Sequence, residues 1–263
     1  MKRLVLPLIV LLAIAAAVAA AWFALDRGFR GTGTVRGGET TSVQRSLPPF
    51  TRIVVDGLAD ITLVQGAVET VSFEAPAKQV ARVRMDVRDG TLRIDNASSG
   101  NFWSFLFGGG TRPIRATVTF RDLNAVDISG SVKLRADGWK TDKLALLVSG
   151  EGTLRIADLD TRELAISASG AVKAEIAGRA TDQRIAISGA GDYRAAGLAS
   201  DNARVAVSGA GKVFVNAAKT LKVSISGAGS VDYVGDPIVT QDISGIGRVK
   251  RRESAQAIIH EHA

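Results

Sequence analysis

The sequence predicts an all-β fold, a right-handed parallel β-helix (β-solenoid) with about 18–20 residues per rung, preceded by an N-terminal signal or anchor helix. Three observations carry this. A Ser-Gly pair recurs seven times at nearly even spacing. Residues at odd offsets from each serine are mostly apolar and those at even offsets mostly polar or small, the period of two that strands show. Beyond the leader, no segment carries the apolar periodicity of a helix.

The leader comes first in the chain. Lys2 and Arg3 precede an uncharged apolar run over residues 4–25. At about 1.5 Å per residue, that run reaches roughly 33 Å, enough to span a bilayer core. It reads as a secretory signal because Ala19-Ala20-Ala21 supply small residues for cleavage, and as an uncleaved anchor because Trp22 and Phe23 suit the membrane interface. Both readings stand. Either sends the remainder across the inner membrane, since the two leading positive charges hold the N-terminus inside. The protein is therefore expected in the periplasm or cell envelope, the cell surface included, touching membrane only through an uncleaved leader. Residues 1–25 form the signal or anchor. Residues 26–46, with five glycines and no apolar period, read as a flexible linker. The solenoid is assigned to 47–250 and a tail to 251–263.

Within the solenoid, "FTRIVVDGLADITLVQG" and "VRMDVRDGTLRIDN" read as strands joined by Gly and Asp turns. The repeated pairs follow at Ser129-Gly130, Ser149-Gly150, Ser169-Gly170, Ser188-Gly189, Ser208-Gly209, Ser226-Gly227 and Ser244-Gly245, with steps of 20, 20, 19, 20, 18 and 18 residues. A propeller blade needs about twice that length, so stacked coils fit better. One residue before each serine stand Ile128, Val148, Ala168, Ile187, Val207, Ile225 and Ile243. Three before stand Val126, Leu146, Ile166, Ile185, Val205, Val223 and the exception Gln241. Five after stand Leu134, Leu154, Ala174, Tyr193, Val213, Val231 and Val249. One rung cannot shield its own apolar face, but stacking at about 4.8 Å turns each column into a buried ladder. Right-handedness follows from the general preference of parallel crossovers. Glycine permits positive φ and close approach of neighbouring backbones, so each Ser-Gly unit is expected to be a stacked corner. Its serine is expected to bond within the turn or to the next rung.

Composition removes several chemistries. The absence of cysteine excludes disulfides, thiolate metal sites, a cysteine nucleophile and a lipid-attachment cysteine. His260 and His262 lie at the very end of the chain, a poor place for a catalytic triad or a histidine metal site. The net charge of +7 favours anionic partners without choosing among them. "SGAGKV", residues 208–213, resembles the end of a phosphate-binding loop. It fails because Val213 stands where Ser or Thr should bind magnesium and Ala206 where the first glycine should be. "GAGDY", residues 189–193, invites a calcium reading, but the positions equivalent to Asp192 hold Lys133, Thr153, Lys173, Lys212, Ser230 and Arg248. Asp142, Asp160, Asp182 and Asp201 are expected to make turns through side chain to backbone bonds. The rival reading is a carboxylate pair of a glycan-cleaving enzyme, which needs two carboxyls about 5–9.5 Å apart in a cleft. No catalytic, cofactor-binding or metal-ligating residue is assigned, and no cofactor.

The outward columns carry more. Four and six residues after the corner serines come Lys133, Arg135, Arg155, Lys173, Arg194, Lys212, Arg248 and Lys250, against Glu175, Asp192 and Asp232. In register these bases form a ladder on one face. Such a ladder is either a solvated surface or a contact for an anionic surface glycan or another envelope component. Nucleic acid is not expected, because no aromatics interleave with the bases. "NFWSFLFGGG", residues 101–110, breaks the rhythm and reads as a loop over the core or as an exposed aromatic patch. "RVKRRE", residues 248–253, is expected to blunt the last rung with charge.

Taken in order, "FTRIVVDGLADITLVQG", "FEAPAKQV", "VRDGTLRI" and the succession of "SGAG" units resemble the head GIN domain family, whose members are described as "putative autotransporter adhesins". The resemblance covers Leu47 to about Lys250. It implies a right-handed β-helical fold, secretion and an unassigned biochemical activity, and it brings no catalytic residues to carry over. The chain departs by lacking a visible outer-membrane translocator, since Arg252 to Ala263 is too short for a barrel.

The function expected is that of a non-enzymatic exported envelope protein, an adhesin or surface-binding solenoid. The alternative is a membrane-anchored scaffold or accessory protein without ligand, and a minor alternative is a glycan-active β-helix enzyme.

Overall fold

Apolar residues on alternate positions commit each coil to extended backbone, and the coils stack as parallel strands in register. The structure, a computed structural model, describes residues 40–76, 84–96 and 113–253. Regular structure among them is entirely β, eighteen strands in one sheet. No helix long and apolar enough to cross a membrane occurs among the described residues. The expected leader, the aromatic cluster at 101–110 and residues 254–263 lie outside them.

The regular stack begins at β7 (Ala125–Ile128) and β8 (Ser131–Ala136), either side of the first Ser-Gly corner. β9 (Trp139–Val148) leads to the second corner, and β10 (Glu151–Ala168) and β11 (Ala171–Ile187) each run from one corner to the next. Later coils are split in two: β12 (Ala190–Ala195) with β13 (Leu198–Val207), β14 (Ala210–Asn216) with β15 (Thr220–Ile225), and β16 (Ala228–Val234) with β17 (Ile238–Ile243). β18 (Ile246–Arg251) closes the series. Every pairing in this region is parallel, so equivalent residues of successive coils lie side by side.

The corners repeat one hydrogen-bond pattern. The amide of each corner serine donates to the carbonyl just before the preceding corner, as in Ser149 to Ile128 at 2.9 Å, Ser208 to Ile187 at 2.9 Å and Ser244 to Ile225 at 3.0 Å. The amide after each corner then donates to the preceding glycine's carbonyl, as in Ala171 to Gly150 and Ala210 to Gly189, both 2.9 Å. Gly130, Gly150, Gly170, Gly189, Gly209, Gly227 and Gly245 therefore lie one above another. A Cβ on any of them would come closer than 3.0 Å to a carbonyl oxygen of the coil beneath. Positive φ is not the reason for glycine here. None of these seven adopts it, whereas Gly57, at the foot of the stack, does (φ 99°).

Side chains fill the interior in the expected columns. Ile128, Val148, Ala168, Ile187, Val207 and Ile225 are buried, as are Val126, Leu146, Ile166, Ile185, Val205 and Val223. Each buried Val, Leu or Ile contributes about 1.5–3 kcal/mol relative to exposure. The corner interior is tight. A Cβ on Gly191 would lie 2.8 Å from Ile187 Cδ1, and one on Gly152 2.9 Å from Val148 Cγ1. In the one coil where the residue before the serine is only alanine, Ala168, the position equivalent to Gly191 holds Val172, which is buried. The small residue and the large one exchange places, conserving volume.

The first third of the domain departs from a simple parallel stack. β2 (Arg52–Gln65) lies between β5 (Thr91–Asn96) and β7, and between β6 (Ile114–Phe120) and β8, all parallel. The strand that comes earlier in the chain is thus sandwiched by later ones. β3 (Thr70–Pro76) pairs antiparallel with β6, β4 (Arg84–Arg88) antiparallel with β5, and β1 (Thr40–Ser46) antiparallel with β3. These return strands cover the edges that β5 and β6 would otherwise expose. The linker expected over 26–46 consequently loses its last seven residues to β1. At the other end nothing pairs beyond β17 and β18 among the described residues. Ile238 and Ile246 are 77% and 84% exposed, and Gln241 closes an otherwise apolar column.

Gly189→Ala should destabilise the domain by about 1–3 kcal/mol in chemical denaturation, because the added methyl meets a backbone that cannot move alone. Gly138→Ala, whose Cβ would meet nothing within 4 Å, should stay within about 0.5 kcal/mol. Gly191→Val should cost a similar amount to Gly189→Ala, and Ile187→Ala in the same chain should recover part of it. A double-mutant cycle measures that coupling.

Candidate functional site

Parallel register turns residues four positions after each corner into one exposed row. Through the strand pairings it runs Arg115, Asp60, Lys133, Thr153, Lys173, Asp192, Lys212, Ser230, Arg248. A base stands on every second coil, and an acid or hydroxyl stands between. Opposed like charges on neighbouring strands are destabilising, so this order spares the sheet that cost. Consecutive bases of the row are about 10 Å apart, twice the strand spacing.

The row six positions after the corner runs Arg135, Arg155, Glu175, Arg194, Phe214, Asp232, Lys250. Its arginines are neutralised: Arg135 meets Asp60 at 2.7 Å, Arg155 meets Glu175 at 3.7 Å and Arg194 meets Asp192 at 2.8 Å. The eight predicted contact residues are thus brought to one face but divide by partner. Arg135, Arg155 and Arg194 are paired. Lys133, Lys173, Lys212, Arg248 and Lys250 are exposed and have no carboxylate partner among the described residues.

A shallow groove of about 930 Å³ runs along this face, from Glu151 to Arg248. Its floor is Ala171, Ala190, Ala210 and Ala228 with Gly191, Gly211 and Gly229, and Lys173, Asp192, Lys212 and Arg248 stand along it. The groove exists because Ala190-Gly191, Ala210-Gly211 and Ala228-Gly229 put little or no side chain at two successive positions after their corners.

The other candidates take structural places. Ser129, Ser149 and Ser188 hydroxyls donate to the carbonyls of Val55, Ile128 and Ala168 at 3.4, 3.3 and 3.3 Å, which ties those three corners to the coil beneath. "SGAGKV" is one such corner running into β14. No cluster of three or more His, Asp or Glu suited to a metal occurs among the described residues. Asp142, Asp160, Asp182 and Asp201 were expected to bond turn backbone. Their partners are instead side chains of the following coil: Arg162 at 2.7 and 2.8 Å, Arg179 at 3.0 and 3.2 Å, Asn202 at 3.0 Å and Lys219 at 2.9 Å. The hydrogen-bonded Arg162 and Arg179 hold the carboxyls of Asp142 and Asp160 below the usual range. Such groups stay ionised and do not suit a general acid.

Two features were not anticipated. Asp56-Gly57 is an eighth corner, with Val55, Ile53 and Ile61 in the buried columns. The Ser129 hydroxyl bonds the Asp56 carboxylate. The second feature is a run of bases before the corners, Arg184, Arg204 and Lys222, aligned coil on coil. Counting four positions back from each serine would have found it. A buried network also crosses the core: Tyr193 donates to Gln183 Oε1 at 3.2 Å, and Gln183 Nε2 donates to Ser200 Oγ at 2.7 Å and to the Asn216 carbonyl at 3.1 Å. Burial pushes the Tyr193 phenol far above its ordinary value.

Arg162→Gln should return the Asp142 carboxyl toward its ordinary pKa, read from its side-chain carbon shift in an NMR pH titration. Because the folded-state value is depressed, the pair's contribution is present at neutral pH and lost as pH falls through the folded carboxylate range. The variant should flatten that part of the acid-stability profile.

Comparison with known proteins matches this architecture. The structure of a putative adhesin from Bacteroides fragilis NCTC 9343 superposes with a TM-score of 0.76 at 20% identity, covering 84% of this chain and all of that one. A structure from Parabacteroides distasonis ATCC 8503, described as a putative lipid binding protein, gives 0.64 at 18% identity, covering 82% of this chain and 97% of that one. A putative adhesin from Parabacteroides merdae ATCC 43184 gives 0.60 at 18% identity with the same coverages. At these identities the likeness is one of fold. No curated protein matches the sequence. The sequence profile of the family described as "Putative auto-transporter adhesin, head GIN domain" matches residues 49–237, nearly the whole stack, and the chain belongs to that family.

Proposed function

We propose that the protein is a non-enzymatic, exported envelope component that holds an anionic surface polymer, an acidic glycan, along the face after its Ser-Gly corners. One observation carries the reading: Lys133, Lys173, Lys212 and Arg248 stand unpaired at two-coil intervals, three of them beside the groove. Here the neighbouring acids Asp60 and Asp192 are taken up by Arg135 and Arg194, leaving the bases free for an outside partner. The family's adhesin description fits a binding role. The non-enzymatic reading is supported by carboxylates that pair with bases of the next coil. Export rests on the leader alone.

Retention on immobilised polygalacturonate is the test. Replacing Lys133, Lys173, Lys212 and Arg248 by Ser should weaken binding by about tenfold or more and move elution to lower salt. Replacing Arg135, Arg155 and Arg194 by Ser, all engaged in ion pairs, should change retention less. Equal loss in both sets would remove the unpaired row from its role, and no retention of the unaltered protein would favour a scaffold without ligand. Intact mass of the exported chain separates release, with a start at Trp22, from anchoring with Met1 retained.

A further inference from the structure

Four residues before the corner serines, the chain carries Ala125, Ala145 and Ala165 in the first coils and then Arg184, Arg204 and Lys222. Arg184 pairs in register with Arg204, and Arg204 with Lys222. They are exposed, and neighbours in this run are about 4.8 Å apart along the stack. Arg184 has Glu163 at 3.6 Å, while Arg204 and Lys222 have no carboxylate partner among the described residues. Like charges directly opposed on adjacent strands repel. The row on the other side of the corner avoids this by alternation, and this one does not.

Beside the three bases lies a hollow of about 270 Å³, bounded on its other side by Asp182, Asn202 and Thr220. That polar row is satisfied within itself: Asn202 Nδ2 donates to Asp182 Oδ1 at 3.0 Å, and Thr220 Oγ1 donates to Asn202 Oδ1 at 2.7 Å. The hollow's one lining carboxylate, Asp182, is thus engaged at the Arg184 end. The end formed by Arg204 and Lys222 carries positive charge only.

We propose that Arg204 and Lys222, with Arg184 beside them, bind a compact, doubly charged oxyanion, the phosphate monoester of a soluble sugar or polymer. The planar fork of arginine gives two parallel hydrogen bonds to such a group, and Lys222 adds a point charge. The two unpaired cations, Arg204 and Lys222, on adjacent strands about 4.8 Å apart, match one dianion better than they match single carboxylates spread along a polymer. The site lies on the strand before the corner and the alternating row on the strand after it, so either can fail without the other.

The test titrates the full chain with glucose 6-phosphate, a dianion near neutral pH, and with the monoanion glucose 6-sulfate as the weaker-binding comparison, at ionic strength held constant with sodium chloride. Arginine Nε–H resonances and the thermal midpoint are followed together. The Arg204 resonance should shift saturably and the midpoint should rise. The double variant R204Q/K222Q should weaken both responses at least tenfold in apparent affinity, and K173Q/K212Q should keep them. At low ionic strength without ligand, R204Q should be at least as stable as the parent, since it removes a repulsion, which separates lost binding from lost folding. No saturable shift, an equal response in R204Q/K222Q, or binding only to phosphatidic acid vesicles would overturn the site.

Discussion

The contact on which this molecule depends is glycine on carbonyl at the Ser-Gly corners. Each corner glycine sits so near a carbonyl oxygen of the coil beneath that a methyl group cannot be interposed. The serine amide bonds the carbonyl before the preceding corner, and the amide after the corner bonds the preceding glycine's carbonyl. Together they fix the register of one coil on the next. A slip by one residue would turn every buried column outward, and it would also place a side chain where only glycine fits. Register here is specified twice, by apolar pattern and by close approach.

A stack so specified could grow without limit, and its two ends show different ways of stopping it. At the first end, antiparallel β3 and β4 cover the edges of β6 and β5, so the backbone donors and acceptors there are paired within the chain. At the other, polarity takes over. Gln241 enters a column that is apolar in every earlier coil, and Arg248, Lys250 and Arg251 crowd the last strand. Arg251 and Arg252 reach back to Asp236 and Asp232 at 3.1 and 3.2 Å. Charge on an edge strand discourages further pairing.

The stack was legible in the sequence because each corner makes the same demand, a glycine for the close approach, and a serine precedes it in seven coils, its hydroxyl tying three of them to the coil below. Seven copies within a narrow range of spacing leave little room for another fold. The eighth corner was not legible for two physical reasons. Aspartate replaces serine at Asp56, and the chain leaves the stack after β2 and returns through β5 and β6, so spatial neighbours Asp56 and Ser129 are separated by 73 residues. The Ala168 exception in the buried column made sense only once Val172 was seen against it. The basic face was legible as a set of positions and not as a set of charges. Which bases stay free depends on which rotamers reach a carboxylate of the same or the adjacent coil, and column counting cannot say that Arg194 turns to Asp192 while Lys173 does not.

The two rows of bases differ in a way that screening makes consequential. At physiological ionic strength the Debye length is about 8 Å. Bases about 10 Å apart, as in the row after the corner, are screened from one another and act as separate weak contacts. A long polymer engaging several of them gains by repetition, since the rigid stack holds each successive contact at a fixed place and each later binding event is intramolecular. Bases about 5 Å apart, as in the run Arg184, Arg204 and Lys222, lie well inside the screening length and present one concentrated field. That field repels itself until a compact anion enters it. The same repeat therefore yields two different electrostatic instruments from two columns, distinguished only by whether successive coils alternate their charges or align them.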